Sequence, residues 1–129
     1  MNIFIAGVLK KITLKLEGAA KEAHSSRAGI YILHPDDVNG KEHWLQQGGS
    51  NALWYDKTLQ NWKIGKKDNL GSSTGGIKSD DSITPLETTI WKYTKNDTWI
   101  EASGEIILSP GNTYLIKILF ILAHEELTF

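Results

Sequence analysis

The chain has 129 residues, the length of one domain with a single hydrophobic core. Lys plus Arg number 14 against 15 Asp plus Glu, so no basic excess favours a nucleic-acid partner, and we expect none. Cysteine is absent, which excludes disulfides, thiolate catalysis and cysteine-ligated metals.

The N-terminal flank, residues 1–11, carries an apolar run at 3–9 that is short for a signal peptide. Its charges, Lys10 and Lys11, follow this run instead of preceding it. The lack of cysteine and of a convincing signal slightly favours an intracellular location, and the compartment otherwise stays open.

Alternating apolar residues and β-branched or aromatic runs predict seven to nine short antiparallel strands. The segment at 18–28 allows one or two helical turns, but its Ser-Ser pair favours a loop. We therefore expect an all-β or β-rich module at 12–109, a small antiparallel barrel or sandwich. The predicted strands are 12–16, 29–33, 42–46, 51–55, 60–64, 77–79, 88–94, 98–102 and 105–108.

The C-terminal segment, residues 110–129, differs in character from the module. Its apolar run at 114–123 favours a short C-terminal helix, with a buried strand as the alternative. Lys117 interrupts the run, which is about half the length that a membrane span needs. We expect no membrane span, and the run could instead mediate self-association or pack across an open end of the module.

Several short motifs follow one another between Gly29 and Leu108: GIYIL, VNGKEHW, ALWY, NWKIG, LGSSTGGI, WKY and EIIL. In this order they resemble a small Trp- and Gly-rich module that occurs, often in tandem copies, in poorly characterised eukaryotic proteins. The resemblance covers about residues 12–109 and implies a compact β module. It transfers no activity, ligand or functional residue.

The chain contains five tryptophans, and three of them lie on consecutive predicted strands: Trp44, Trp54 and Trp62. Core packing is the commoner role of such residues, because each one buries a large apolar area. Trp54 and Tyr55 are adjacent, so their side chains point to opposite faces of a strand and one of them could be exposed. An exposed aromatic can stack on a sugar or anchor a protein partner.

The irregular segment at 65–76 is rich in Gly, Ser and Lys. Its glycines are not followed by the Lys and Ser or Thr of a phosphate-binding loop, so a nucleotide site is not predicted. The leading hypothesis is a non-catalytic binding module that recognises protein or carbohydrate through exposed aromatics and this loop, with no cofactor. The candidate ligand-binding residues are Trp54, Tyr55, Lys66, Lys67, Ser72 and Ser73.

Other chemistry is weakly supported. His34 with Asp36 and Asp37 could hold a hard cation, but these residue types are commoner in simple turns, so no metal site is predicted. No nucleophile stands in a strand–turn–helix elbow, and no carboxylate pair is evident, so no catalytic residue is assigned and an enzyme is the least favoured alternative. The triplet that begins at Asn96 fits a glycosylation acceptor only if the chain is secreted.

Overall fold

The computed structural model describes residues 10–88, 90–102 and 104–111. Nine antiparallel strands form one sheet in the order β8-β7-β6-β5-β4-β3-β2-β1-β9, curled into a half-barrel. The β-rich prediction is therefore confirmed for this part of the chain. The strands are β1 Lys11–Leu16, β2 Gly29–Leu33, β3 Trp44–Gln46, β4 Asn51–Asp56, β5 Asn61–Lys66, β6 Ile77–Ser79, β7 Trp91–Lys95, β8 Thr98–Glu101 and β9 Ile106–Pro110.

The strand order follows the chain except at β9. Strands β1 to β8 pair in sequence as a meander, and β9 then pairs with β1, with Leu16 opposite Ile106 and Ile12 opposite Pro110. The two edge strands, β8 and β9, are joined by only four residues, 102–105. A link of this length spans less than about 20 Å, so it holds the two edges of the sheet near each other.

One helix, α1 (Gly18–His24), follows β1 and is continued by a 3₁₀ turn at Ser25–Arg27. The predicted loop at 18–28 is therefore wrong, because Ala20 packs into the core and gives this alanine-rich segment a buried side. His24 Nε2 lies 2.8 Å from the carbonyl oxygen of Thr94, and Arg27 donates to the carbonyl oxygen of Ile64 at 2.9 Å. The helix thus closes one end of the half-barrel.

The concave face of the sheet carries the main core. Alternate residues of each strand point to this face, which is why the period-2 pattern located the strands. Four of the five tryptophans are buried, and Trp99 is 38 % exposed. The core members are Ile12, Leu14, Leu16, Ala20, Tyr31, Trp44, Leu53, Trp62, Ile64, Ile77, Trp91, Tyr93, Ala102 and Ile106.

Strands β4 and β5 are buried on both faces, unlike the rest of the sheet. Their convex side is covered by residues 67–76, called here the glycine loop, which starts with a 3₁₀ turn at Lys67–Asn69. Within the described ranges no helix is long and apolar enough to cross a membrane. The predicted C-terminal helix and the self-association segment at 114–123 lie outside the described residues.

Candidate functional site: a cavity at the open end

The end of the half-barrel opposite α1 holds a cavity of about 410 Å³, called here the mouth cavity. Its floor is formed by Ile12, Trp44 and Trp62, which stand at or near the starts of β1, β3 and β5. The two indole rings lie 6.1 Å apart between centroids and are tilted by 57°. The floor is therefore apolar and largely aromatic, and its shape is set by three rigid strands.

Two loops wall the mouth cavity, residues 34–43 and residues 80–88. The first contributes Asp37, Gly40, Lys41 and Glu42 to the lining. The second contributes Ile83, Thr84, Pro85 and Leu86. One wall is therefore charged and the other mainly apolar.

The loop at 34–43 is shaped by a tight turn at its tip. Asn39 and Gly40 have φ of 56° and 79°, the left-handed conformation that Asn-Gly pairs adopt readily. The side-chain amide of Asn39 donates to the carbonyl oxygens of Tyr55 and Gly71 at 2.8 and 3.0 Å. These two bonds fix the position of the tip against β4, and with it the charged wall of the cavity.

The loop at 80–88 is held by tryptophan and tyrosine side chains of the sheet. Trp62 Nε1 donates to the carbonyl oxygen of Ser82 at 3.0 Å, and the Tyr55 hydroxyl donates to Asp81 at 3.3 Å. The Lys41 ammonium lies 4.8 Å from the centre of the Tyr55 ring. Tyr55 therefore contacts both loops. Desolvation and the neighbouring carboxylate of Asp81 raise the pKa of its hydroxyl, which stays a donor near neutral pH.

Two histidines form the base of the loop at 34–43. The rings of His34 and His43 lie 4.9 Å apart, and His34 Nδ1 lies 3.9 Å from the Asp36 carboxylate. His43 is 3 % exposed, and its Nδ1 has no hydrogen-bond partner among the described residues. Burial, followed by the repulsion from His34, lowers the pKa of His43. Within the described ranges, no group of three or more potential metal ligands could hold an ion.

The sequence predicts that one ring of the adjacent pair Trp54 and Tyr55 is exposed, and Tyr55 is the partly exposed one. Trp54 is fully buried beneath the glycine loop, and its Nε1 donates to the carbonyl oxygen of Ser72 at 2.9 Å. A Cβ built on Gly65 would lie 2.9 Å from the Cα of Gly75 and 3.1 Å from the Trp54 ring. The glycines thus let the loop backbone lie directly on the ring, and a ligand could not reach it without displacing the loop.

The other predicted site residues lie at or beside the glycine loop. Lys66 and Lys67 follow one another at the end of β5, and the Lys67 amide donates to the carbonyl oxygen of Ser50. The Ser72 hydroxyl donates to the carbonyl oxygen of Asn69 and accepts from the Thr74 amide. The Ser73 hydroxyl lies close enough to the Asp56 carboxylate to help lower its pKa. The loop uses the Ser72 hydroxyl internally, whereas among the described residues no ion pair involves the side chain of Lys66 or Lys67, so the predicted role of these residues in ligand binding stays a prediction.

A buried ion pair lies under the same loop. Lys63 Nζ lies 3.4 Å from the Asp56 carboxylate and donates to Asn61 Oδ1 at 2.7 Å, and the side chains of the ion pair are 1 % and 2 % exposed. Burial lowers the pKa of Lys63, and the nearby Asp56 carboxylate opposes this shift. Burial acts to raise the pKa of Asp56. The amides of Leu59 and Thr58, the Ser73 hydroxyl and Lys63 outweigh it, so that pKa is lowered.

Trp99 is the one tryptophan that reaches solvent. It lies on the edge strand β8, away from the mouth cavity, with Lys78 Nζ 4.0 Å from its ring centre. The ammonium covers one face of the ring, and a cation–π pair of this kind contributes about 0.5–1 kcal/mol at an exposed site. One face of the Trp99 ring is therefore already covered by a side chain of the same molecule.

The sequence reasoning missed the mouth cavity. Its two loops are nearly 40 residues apart, and none of the predicted site residues lines it, although Tyr55 contacts both loops. One signal was present: acidic residues recur in both loops. Comparison of the chain with family models, with curated proteins and with solved structures gives no match.

Proposed function

We propose that this chain is a non-catalytic binding module for a protein or carbohydrate ligand, and that the ligand binds in the mouth cavity. The observation that carries the proposal is the cavity itself. Its volume of about 410 Å³ falls in the range of small-ligand sites, about 300–1,000 Å³. An apolar floor with a few polar groups at the rim is the usual composition of such sites.

The exposed apolar residue Ile83 supports this position for the site. Its side chain is 73 % exposed, although it lines the cavity beside the apolar residues Pro85 and Leu86. A ligand that enters the cavity would cover this side chain and remove more apolar area from water.

The same geometry favours binding over catalysis. The lining holds Asp37, Glu42 and Lys41, but among the described residues it places no histidine beside a hydroxyl or carboxylate. The two nearby histidines lie at the base of one loop and are not part of the lining.

A substitution at the lip tests the proposal. The Ile83→Asp variant places a charge where an apolar ligand group would pack, and its high exposure leaves the fold unchanged. Leu59→Asp is the matched control, because Leu59 is 55 % exposed and does not line the mouth cavity. Wild type and both variants would be screened against a displayed peptide library and a glycan array.

We expect ligands that bind wild type and Leu59→Asp to lose at least about tenfold in affinity with Ile83→Asp. A set of ligands that binds all three proteins equally would place the site elsewhere. The six residues predicted from the sequence, at and beside the glycine loop, would then be the next to test.

A further inference from the structure

The two loops that wall the mouth cavity carry mainly negative charge. The loops at 34–43 and 80–88 carry six acidic residues and one lysine, although the whole chain has nearly equal numbers, 15 and 14. Without these two loops, the chain would hold nine acidic residues and thirteen Lys plus Arg. The acidic residues are Asp36, Asp37, Glu42, Asp80, Asp81 and Glu87.

These carboxylates are not neutralised within the molecule. All six residues are exposed. Among the described residues, the ion pairs involve only Asp36 of this group, and its partner His34 is 3.9 Å away. Lys41, the one cation of the two loops, lies over the Tyr55 ring instead of on a carboxylate.

The two loops contribute unequally to the rim. Asp37 and Glu42 line the cavity itself. Asp80 and Asp81 instead line a second pocket together with Lys78 and Lys92. The negative field at the rim therefore comes mainly from the loop at 34–43.

The apolar part of the lining offers few hydrogen-bonding groups to a sugar. Ile12, Pro85 and Leu86 have no side-chain polar group, and the Trp62 indole N–H is already used by Ser82. A sugar hydroxyl buried there would lose its bonds to water without compensation, which costs roughly 1–3 kcal/mol. An apolar side chain has no such cost and gains from burial.

We infer that the mouth cavity binds a segment of a partner protein in which a large apolar side chain is flanked by Lys or Arg. The inference rests on the proposed function and specifies its ligand. The apolar side chain enters the cavity and packs against Ile83 and Leu86, above the buried rings of Trp44 and Trp62. The flanking cations lie against Asp37 and Glu42 at the rim, where opposite charge speeds association and selects among partners.

Three blocked peptides test the inference: acetyl-Lys-Trp-Lys-amide, acetyl-Glu-Trp-Glu-amide and acetyl-Lys-Gly-Lys-amide. Each would be titrated into the ¹⁵N-labelled full chain, and the indole and amide signals of the mouth residues would be followed by NMR. Because the peptides are unlabelled, only the protein is observed. We expect the Lys-Trp-Lys peptide to bind at least about tenfold more tightly than Glu-Trp-Glu at low salt.

The tenfold difference should shrink as salt rises from about 0.01 M to about 0.15 M, because the Debye length falls from about 30 to about 8 Å. The Lys-Gly-Lys peptide should leave the mouth signals unchanged. Charge reversal by Asp37→Lys with Glu42→Lys should invert the preference. Glu22→Lys with Asp68→Lys is the matched control, since both residues are exposed and lie outside the two loops.

The outcomes distinguish the inference about charge from the proposed binding site. Equal binding of both Trp peptides in the cavity would overturn the charge inference and leave the binding site standing. If neither Trp peptide moves the mouth signals, a protein side chain is not the ligand and the inference fails. A glycan that binds wild type but not Ile83→Asp would then still support the proposed function.

Discussion

Trp54 on β4 and Trp62 on β5 each donate a hydrogen bond to a loop, but the two loops pack differently against the sheet. Trp54 and Trp62 point to opposite faces of the sheet, and each donates its indole N–H to a loop carbonyl oxygen, those of Ser72 and Ser82. The glycine loop lies flat on Trp54 and leaves it fully buried. The loop at 80–88 leaves the mouth cavity of about 410 Å³ beside Trp62.

The difference follows from the residues of the two loops and from one glycine of β5. Gly65 and Gly75 allow backbone to approach backbone, so nothing separates the glycine loop from the strands. The loop at 80–88 instead buries Pro85 and packs Leu86 against the core while Ile83 stays exposed, and the mouth cavity lies beside these side chains. Both indoles are buried, so the difference lies in what packs beside them: loop backbone against Trp54, and the mouth cavity next to Trp62.

The largest effect should come from the ion pair under the glycine loop. Lys63→Met leaves the Asp56 carboxylate buried without its counter-charge, which should reduce the free energy of unfolding by about 3–5 kcal/mol. Chemical denaturation measures the loss. Lys78→Met is the matched control from the adjacent strand, and it should cost only about 0.5–1 kcal/mol through its contact with Trp99.

A companion variant identifies the cause of that loss. Asp56→Asn added to Lys63→Met removes the uncompensated charge and keeps an oxygen for the amides of Thr58 and Leu59. It should restore part of the lost stability. If Lys63→Met is no less stable than Lys78→Met, the buried pair does not hold this side of the sheet together.

A smaller effect should come from adding a methyl group between the glycine loop and the sheet. Gly65→Ala places a methyl group 2.9 Å from the Gly75 Cα, so the loop must move away from Trp54. Overpacking of this kind costs about 1–3 kcal/mol. The Trp54 indole N–H should exchange faster with solvent in this variant, while the Trp62 indole N–H keeps its wild-type rate. Equal acceleration of both would show that the two loops are not independent.

The sequence predicted the strands well because the concave face follows a simple rule. In β1 and β7, apolar and polar residues alternate, and the apolar side faces the core. Helix α1 was missed because alanines give no apolar periodicity and the Ser-Ser pair favours a loop. The helix exists because its Ala20 side reaches the core and His24 reaches Thr94, contacts between residues far apart in the chain.

The site was harder to predict than the fold for a physical reason. Asp56 and Lys63 are charged residues, and a pattern rule assigns them to solvent. They are buried only because the glycine loop returns over them. The mouth cavity likewise depends on how two distant loops stand relative to a common floor. Such placements depend on tertiary contacts, which cannot be predicted from residue type and spacing along the chain alone.

A mildly acidic pH should affect the mouth cavity and leave the glycine loop unchanged. We expect this effect to be smaller and more local than that of Lys63→Met or Gly65→Ala. Burial lowers the pKa of His43 below 6.5. As the pH falls, this histidine is therefore protonated in the unfolded chain at a higher pH than in the folded chain. Stability from this group is fully present above about pH 6.5 and is lost as the pH falls from there toward the lowered pKa. His24 at the helix end contributes with the same sign, because burial also lowers its pKa.

At the glycine loop stability is also lost as the pH falls, but this loss begins at a lower pH. The pKa of Asp56 is below its ordinary value of 3.8, so the ion pair with Lys63 persists until the pH falls through that range. Amide exchange measured between pH 7.5 and 5 should therefore rise for residues 36–42 at the mouth and stay constant for residues 72–75. His43→Gln should suppress the rise at the mouth, because glutamine is uncharged throughout this window. A rise that is equal in both segments, or that persists in His43→Gln, would show that protonation of His43 does not open the loop at 34–43.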